Sequence, residues 1–422
     1  MKFIQAAIAA VAAVALFSQA RADETGGSGA NRLWRQETLS NNWFGLGGRL
    51  ADNGVSVKLG LTQIFQANVR GGISTHRRSG RYTGSYDLEI ELDAEKLLKL
   101  PGGNLLVAGK GGWSEGIDEP SVGSLFGVND DAAGYRSFDV TELWYEQALL
   151  EDAFRLRFGK IDLTGGFEHL HCMVAFDANA YANDETSQFL NSALVNNPTI
   201  PFGDKGLGAI AYLRPAAWTY FAAGVADANA DSRETGFRTT FGGSDDFLGI
   251  FETGLVPNLQ STQGPLPGAY RVGLWYDPQP KAHIDGRGVK RDDVGCYLSF
   301  DQLVLKENAD QEDAQGLGLF ARYGWADGDF NTIKSFWSAG AQYAGLVPTR
   351  DQDVLGFGLA QGRLSRYADP EAFRETVMEL YYNACVAPWL SVSPSMQYVF
   401  NAGGSRNSDD AIVIGLRLQM SF

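Results

Sequence analysis

Beyond its amino terminus, the 422-residue chain never approaches the ~18 consecutive apolar residues of a membrane helix. If it crosses a membrane, it must do so with strands. Cysteine is scarce: Cys172, Cys296 and Cys385 are an odd set that excludes a complete disulfide framework. Histidine is nearly as rare, and none of His76, His169, His171 and His283 lies near a G-x-S-x-G motif, as a barrel esterase or phospholipase would require. His169-x-His171-Cys172 has no spaced ligand partner elsewhere, so neither a metal nor any other cofactor is expected. Basic charge is also short. The formal net charge of −15 has the wrong sign for a nucleic-acid partner.

Against these absences stands a basic start, Met1-Lys2, an apolar run from Ile4 to Phe17, and Ala20-Arg21-Ala22. This is the form of a secretory signal peptide over 1–22, removed on export. Residues 23–54 are expected to hold a flexible Gly- and acid-rich segment and then a short periplasmic helix, with Trp43, Leu46 and Leu50 on one face and Asn53-Gly54 ending it. The remainder, 55–422, alternates. In Ala411–Phe422 the even positions Ile412, Ile414, Leu416, Leu418, Met420 and Phe422 are apolar, while Gly415, Arg417, Gln419 and Ser421 lie between them. Successive strand side chains point to opposite faces, so this segment has one oily wall and one polar wall. A transmembrane β-strand needs roughly 9–11 such residues.

The same pattern recurs along the chain. In 55–70 it is interrupted at Gln63-Ile64, which a bulge would explain. In the next strand Tyr86, Leu88, Ile90 and Leu92 oppose Asp87, Glu89, Glu91 and Asp93. Four carboxylates in a row cannot face a dry core. They face water or a basic partner row, for which Arg155 and Arg157 are available. Sixteen strands can be counted, near 55–70, 83–97, 104–116, 140–150, 154–164, 206–216, 218–228, 247–258, 268–279, 293–305, 316–328, 334–346, 353–364, 374–387, 389–401 and 411–422. Short connections alternate with long ones, notably 117–139, 165–205 and 229–246, as outer-membrane barrels require. The expected fold is all-β: a sixteen-stranded antiparallel transmembrane β-barrel with short periplasmic turns, long external loops and an in-folded constriction loop at 165–205. Within that loop, 187–195 is expected to form a short amphipathic helix, with Asp184 or Thr186 at its amino end.

Several strings resemble the carbohydrate-selective porin (OprB) family. They are Leu39 to Gly54, with Trp43, Arg49, Leu50 and Asn53-Gly54; Glu142-Leu143-Trp144-Tyr145-Glu146-Gln147; Phe176 to Asn179, Asn183 to Phe189 and Asn196 to Phe202; and Gly268 to Asp277. Phe44, where the family would carry glycine, and the stretch His169–Cys172 depart from the pattern. The resemblance spans nearly the whole mature chain. It implies a sixteen-stranded outer-membrane channel through which monosaccharides such as glucose diffuse inward.

A sugar-selective pore needs carboxylates, amides and arginines to replace water around hydroxyl groups, and aromatic faces for the C–H surface of the sugar. The loop supplies Glu168, Asp177, Asn179, Asp184 and Glu185. Strand parity supplies Arg155, Arg157, Arg271, Trp275 and Trp144. Each has a structural alternative: the arginine pair as counter-ions of the acidic strand, Trp144 in the interfacial girdle, Trp275 bracing the loop from below. An anion or phosphate channel would want a ladder of lumenal bases, which the row Asp87–Asp93 opposes. The partners expected are monosaccharides and outer-membrane lipid, with no nucleic acid. A homotrimer and a monomer are equally compatible with the sequence.

Overall fold

A computed structural model describes residues 33–422 except 165–166, 170–171, 175, 184–185, 202–203, 232, 235, 243–245, 311–314, 369–370 and 372. For the short hairpin Phe167–His169 and Cys172–Val174 it describes the backbone alone. Sixteen strands form the wall: β1 (Val55–Arg70), β2 (Gly80–Asp93), β3 (Gly103–Trp113), β4 (Arg136–Leu149), β5 (Phe154–Ile161), β6 (Gly206–Ala216), β7 (Thr219–Asp227) and β8 (Phe247–Leu255). The second half comprises β9 (Gly264–Asp277), β10 (Asp293–Lys306), β11 (Gly316–Ala326), β12 (Ile333–Ala344), β13 (Val354–Leu364), β14 (Arg374–Ala387), β15 (Leu390–Phe400) and β16 (Ala411–Ser421). Each pairs antiparallel with its sequence neighbours, and β16 returns to β1 from Gly60↔Ser421 to Arg70↔Ile412. Closure leaves no edge strand, which hydrocarbon does not tolerate.

The alternation seen in sequence sorts cleanly across this wall. Phe65, Phe158, Phe221, Phe251, Leu274, Leu319, Phe357, Ile414 and Leu416 are exposed on the outside, while Arg417, Gln397, Glu379 and Arg322 point inward and are buried. The interruption at Gln63-Ile64 is not a bulge. Pairing runs unbroken from Val55↔Leu92 to Ala67↔Gly80, so Ile64 turns inward and Gln63 outward. The outward amide is satisfied by the neighbouring strand, Tyr82 Oη donating to Gln63 Oε1 at 2.8 Å. One polar residue is tolerated on the oily face because its partner is held beside it.

At one rim of the barrel, Ser40 caps a left-handed turn, Asn41–Phe44, whose four residues all have φ between 52° and 58°. Phe44, the position where the family resemblance calls for glycine, therefore sits in the region that glycine prefers. Helix α1 (Leu46–Asp52) follows and ends at Asn53-Gly54, as the sequence suggests. Trp43 Nε1 donates to Val57 O at 2.9 Å, and Leu39 N donates to Ser421 O at 2.7 Å. These bonds tie the segment to both strands of the barrel seam.

Candidate functional site

Two loops fold inside the barrel. The longer, between β5 and β6, enters along the inner faces of β8 to β14. Its entry is fixed by Glu252 on β8, whose carboxylate accepts the Asp177 N–H at 2.9 Å and the hydroxyls of Tyr220 and Tyr297. Arg322 on β11 then grips the turn, donating to the carbonyls of Asp177 and Leu194 and to Asn183 Oδ1, with its Nε 3.3 Å from Asp177 Oδ2. Glu379 on β14 accepts the N–H groups of Leu190 and Asn191, both at 2.9 Å. All three wall residues are essentially inaccessible to water. A buried charge survives only when paired and fully hydrogen-bonded, and the loop backbone supplies the missing partners.

Apolar packing completes the seat. Phe189, Leu194 and Val195 from the loop close against Phe320, Phe336 and Tyr381 on the wall. Behind the loop, large inward rings lie across glycines on neighbouring strands: Tyr297 over Gly273, and Trp275 over Gly295. A Cβ at either glycine would fall within 2.5 Å of ring carbons. The expected helix over 187–195 is shorter than foreseen. Only α2 (Ser192–Val195) is helical, capped by Asn191 through its side chain and not by Thr186, while Asp184 lies outside the described residues. The residues before it stay irregular because their N–H groups go to Glu379 instead of a helical ladder.

The second in-folded segment, 117–135, was not singled out as a lumenal element in the sequence. Glu375 on β14 accepts Ser124 Oγ at 2.6 Å and Leu125 N at 2.8 Å; Gln66 and Gln397 both donate to Val128 O; and Arg417 pairs with Asp131 at 2.7 Å. The two loops are bonded to each other through Asp130 N to Leu190 O, 2.8 Å, and Ser192 N to Gly127 O, 3.2 Å.

The wall from β1 to β5 is different. Asp87, Glu89 and Glu91 keep about two-fifths or more of their side chains in water, facing Lys58 on β1 and Lys110 on β3 at 3.5–3.7 Å. The arginine row on β5 does not serve these carboxylates, because β5 lies beside β4 and β6, not β2. Arg157 instead bonds Glu146 on β4 at 2.8 Å, and Arg155 bridges Glu146 and Asp152. Arg157 also lies over the Trp144 ring, 3.9 Å from its centroid, and Trp144 Nε1 donates to Glu142 at 2.9 Å. Trp144 is thus lumenal, not part of an interfacial girdle. Lys205, at the loop's return, reaches Glu142 at 3.0 Å and Asp162 at 3.2 Å. Burial alone would lower the Lys205 ammonium, but the two carboxylates outweigh it and hold its pKa well above the usual lysine value.

The sequence candidates therefore divide. Arg155, Arg157 and Trp144 share one patch of the wall, where Arg157 and Trp144 are buried. Asp177 and Asn179 are buried in the loop's seat, Asn179 donating to Phe300 O at 2.9 Å. Arg271, paired with Asp301, and Trp275 lie behind the loop, out of reach of water. The side chain of Glu168 lies outside the described residues, as do Asp184 and Glu185. The missed residues Glu252, Arg322, Glu375 and Glu379 share a signal. Each is an ionisable residue at an inward position, flanked two residues away by glycine or apolar side chains on at least one side. Among the described residues no group of His, Cys, Asp and Glu could hold a metal ion.

A closed sixteen-stranded barrel with an oily exterior, a charged interior and loops drawn into its lumen defines an outer-membrane porin. The family model described as "Carbohydrate-selective porin, OprB family" matches residues 77–422, and the chain belongs to that family. Among relatives, Porin B of Pseudomonas aeruginosa is 26% identical, the alignment covering 98% of this chain and 96% of that protein. The putative porin QuiX of Acinetobacter baylyi is 22% identical over 93% of this chain and 95% of its own length. The high-pH structure of Pseudomonas putida OprB superposes with a TM-score of 0.80 at 21% identity, covering 92% of this chain and 99% of that one. The protein is a carbohydrate-selective porin of the bacterial outer membrane.

Proposed function

We propose that the passenger is a monosaccharide such as glucose, moving down its gradient between the seated loop 165–205, which forms the constriction, and the wet wall of β1 to β3. The observation that carries this reading is the water-facing row of Lys58, Asp87, Glu89, Glu91 and Lys110 on the inner wall. Such a row offers sugar hydroxyls both acceptors and donors. Selectivity then follows from pore diameter and lining groups, with weak occupancy so that flux continues. No chemical step and no cofactor is required, and the protein acts as a channel, not an enzyme. The carboxylates Asp87, Glu89 and Glu91 outnumber the bases Lys58 and Lys110 facing them, which disfavours an anion or phosphate channel. Each barrel carries its own path, so a homotrimer or a monomer in outer-membrane lipid would serve equally. Export is assigned to the leader 1–22, and residues 23–54 to a flexible segment followed by a short periplasmic helix.

The test is ion conductance of the purified protein in a planar bilayer, with glucose titrated against the current. Saturable block at millimolar glucose, weaker with an acyclic polyol, is expected. High conductance indifferent to sugars would reject the monosaccharide reading while leaving the porin intact.

A further inference from the structure

The constriction loop does not seat flush. Between its two roots (162–164 and 204–205), its inner turn and the inner faces of β7 and β8 lies a partly enclosed cavity of about 400 Å³. That volume falls at the lower end of the roughly 300–1,000 Å³ typical of small-molecule sites, which suits a single sugar ring better than an oligosaccharide.

The lining has two chemistries. Ile200 and Leu248 give it apolar surface, while Asp177, Asn183, Asn197 and Lys205 give it acceptors and donors. One of these groups is incompletely satisfied. Asp177 is only 4% exposed, and its Oδ2 faces Arg322 at 3.3 Å. Its Oδ1 accepts no hydrogen bond of ordinary geometry, although the Asn197 amide stands beside it. A buried carboxylate oxygen without a donor is costly, and a ligand hydroxyl would supply one. The Asn197 side chain is held in place by Thr199, whose N–H and hydroxyl both donate to its Oδ1.

We propose that this cavity is a side alcove of the channel that holds one monosaccharide ring, with Asp177 Oδ1 accepting a sugar hydroxyl and the Asn183 and Asn197 amides and Lys205 engaging its neighbours. The assignment rests on the monosaccharide reading above and adds a second place of contact, separate from the charged wall row Lys58, Asp87, Glu89, Glu91 and Lys110. A sugar held in the alcove narrows the ion path beside the loop, so its occupancy registers as reduced current.

The experiment is glucose-titrated conductance of wild type, Asp177→Asn and Ala226→Phe in planar bilayers. Ala226 lines the alcove from β7, so a phenylalanine there fills it from the wall with the Asp177 side chain itself unaltered. Losing one charge-assisted hydrogen bond should raise the half-blocking glucose concentration about tenfold. The same shift is expected in both variants, with the sugar-free conductance of Ala226→Phe unchanged. Ala226→Leu repeats the test with a smaller side chain should the phenylalanine prevent folding. Unchanged block in a filled-alcove variant of normal conductance would overturn the alcove and leave the wall row as the sugar contact. Absence of glucose block in wild type would overturn the monosaccharide reading itself.

Discussion

The two halves of this barrel use the same alternating strands for opposite purposes. From β8 to β14 the inward positions carry large rings, glycines and isolated charges, and a loop lies against them as a second layer. Glu252, Arg322 and Glu379 are there to be buried, and each finds its partners in loop backbone. From β1 to β3 the inward positions carry Lys58, Asp87, Glu89, Glu91 and Lys110 in water, with ion-pair distances of 3.5 Å or more. Exposed pairs at such distances contribute little, in the range of ~0–1 kcal/mol. A charge on one side of the lumen is therefore a structural bolt, and on the other side it is lining. What decides between them is whether a loop covers the wall.

The sharpest way to break this contrast is to remove a bolt. Arg322→Met keeps side-chain length and apolar bulk but strips the carbonyls of Asp177 and Leu194, Asn183 Oδ1 and the Asp177 carboxylate of their shared donor. Breaking a buried pair by deleting one partner costs about 3–5 kcal/mol. The loop should leave its seat, so single-channel conductance is expected to rise several-fold and glucose block to weaken. Conductance equal to wild type, in folded protein, would mean that apolar packing alone seats the loop.

How much of this was legible beforehand follows the same division. The strands were readable because parity is local: Ile412 to Phe422 show their oily face without reference to any other residue. Strand number and the long 165–205 loop followed from that spacing. The partner of a charge is not local. Arg155 and Arg157 were matched to the acidic strand on chemistry alone, whereas closure places β5 beside β4 and gives them Glu146. Trp275 and Arg271 were given the right face, but parity does not say whether a loop lies over that face. The second in-folded loop escaped because 117–135 has no periodic pattern, and its hold comes from Glu375, Gln397 and Arg417 near the far end of the sequence.

A smaller effect separates two aspartates of the same loop. Asp177, at the seat, is pushed up to about 6 by burial that outweighs Arg322 and Arg271. Burial acts on Asp162 at the root as well, but Lys205 and Thr164 hold its carboxyl below the usual range. The signs are opposite. The seated loop binds the Asp177 proton more tightly than a released loop would, so that contribution is complete below pH 3.8 and lost as pH rises through about 6. The Asp162 contribution is present above the ordinary carboxylate value and fades only in acid below it. Of these two, Asp177 alone should respond between pH 5 and 7, by about 1.3 kcal/mol for a carboxyl titrating near 6. Amide exchange of residues 176–183, corrected for its intrinsic pH dependence, should be slower at pH 5 than at pH 7. Asp177→Asn should flatten that difference, and a pH response that survives the substitution would place the titrating group elsewhere.

The least disruptive change belongs to the open wall. Glu89 and Glu91 share Lys58 as a distant counter-ion, and their side chains are 47% and 41% exposed. If they are lining and not bolts, Glu89→Gln with Glu91→Gln should alter stability by no more than about 0.5 kcal/mol, the range of ordinary surface substitutions. The potential along the path should nonetheless change, because two negative charges leave a lumen wall where Lys58 remains. Reversal potential across a salt gradient is the measurement. Wild type is expected to favour cations, and the double variant to lose much of that preference while its heat stability stays the same. A clear loss of thermal stability would show instead that this acidic row holds something in place, and the contrast between the two halves of the barrel would fail at its simplest point.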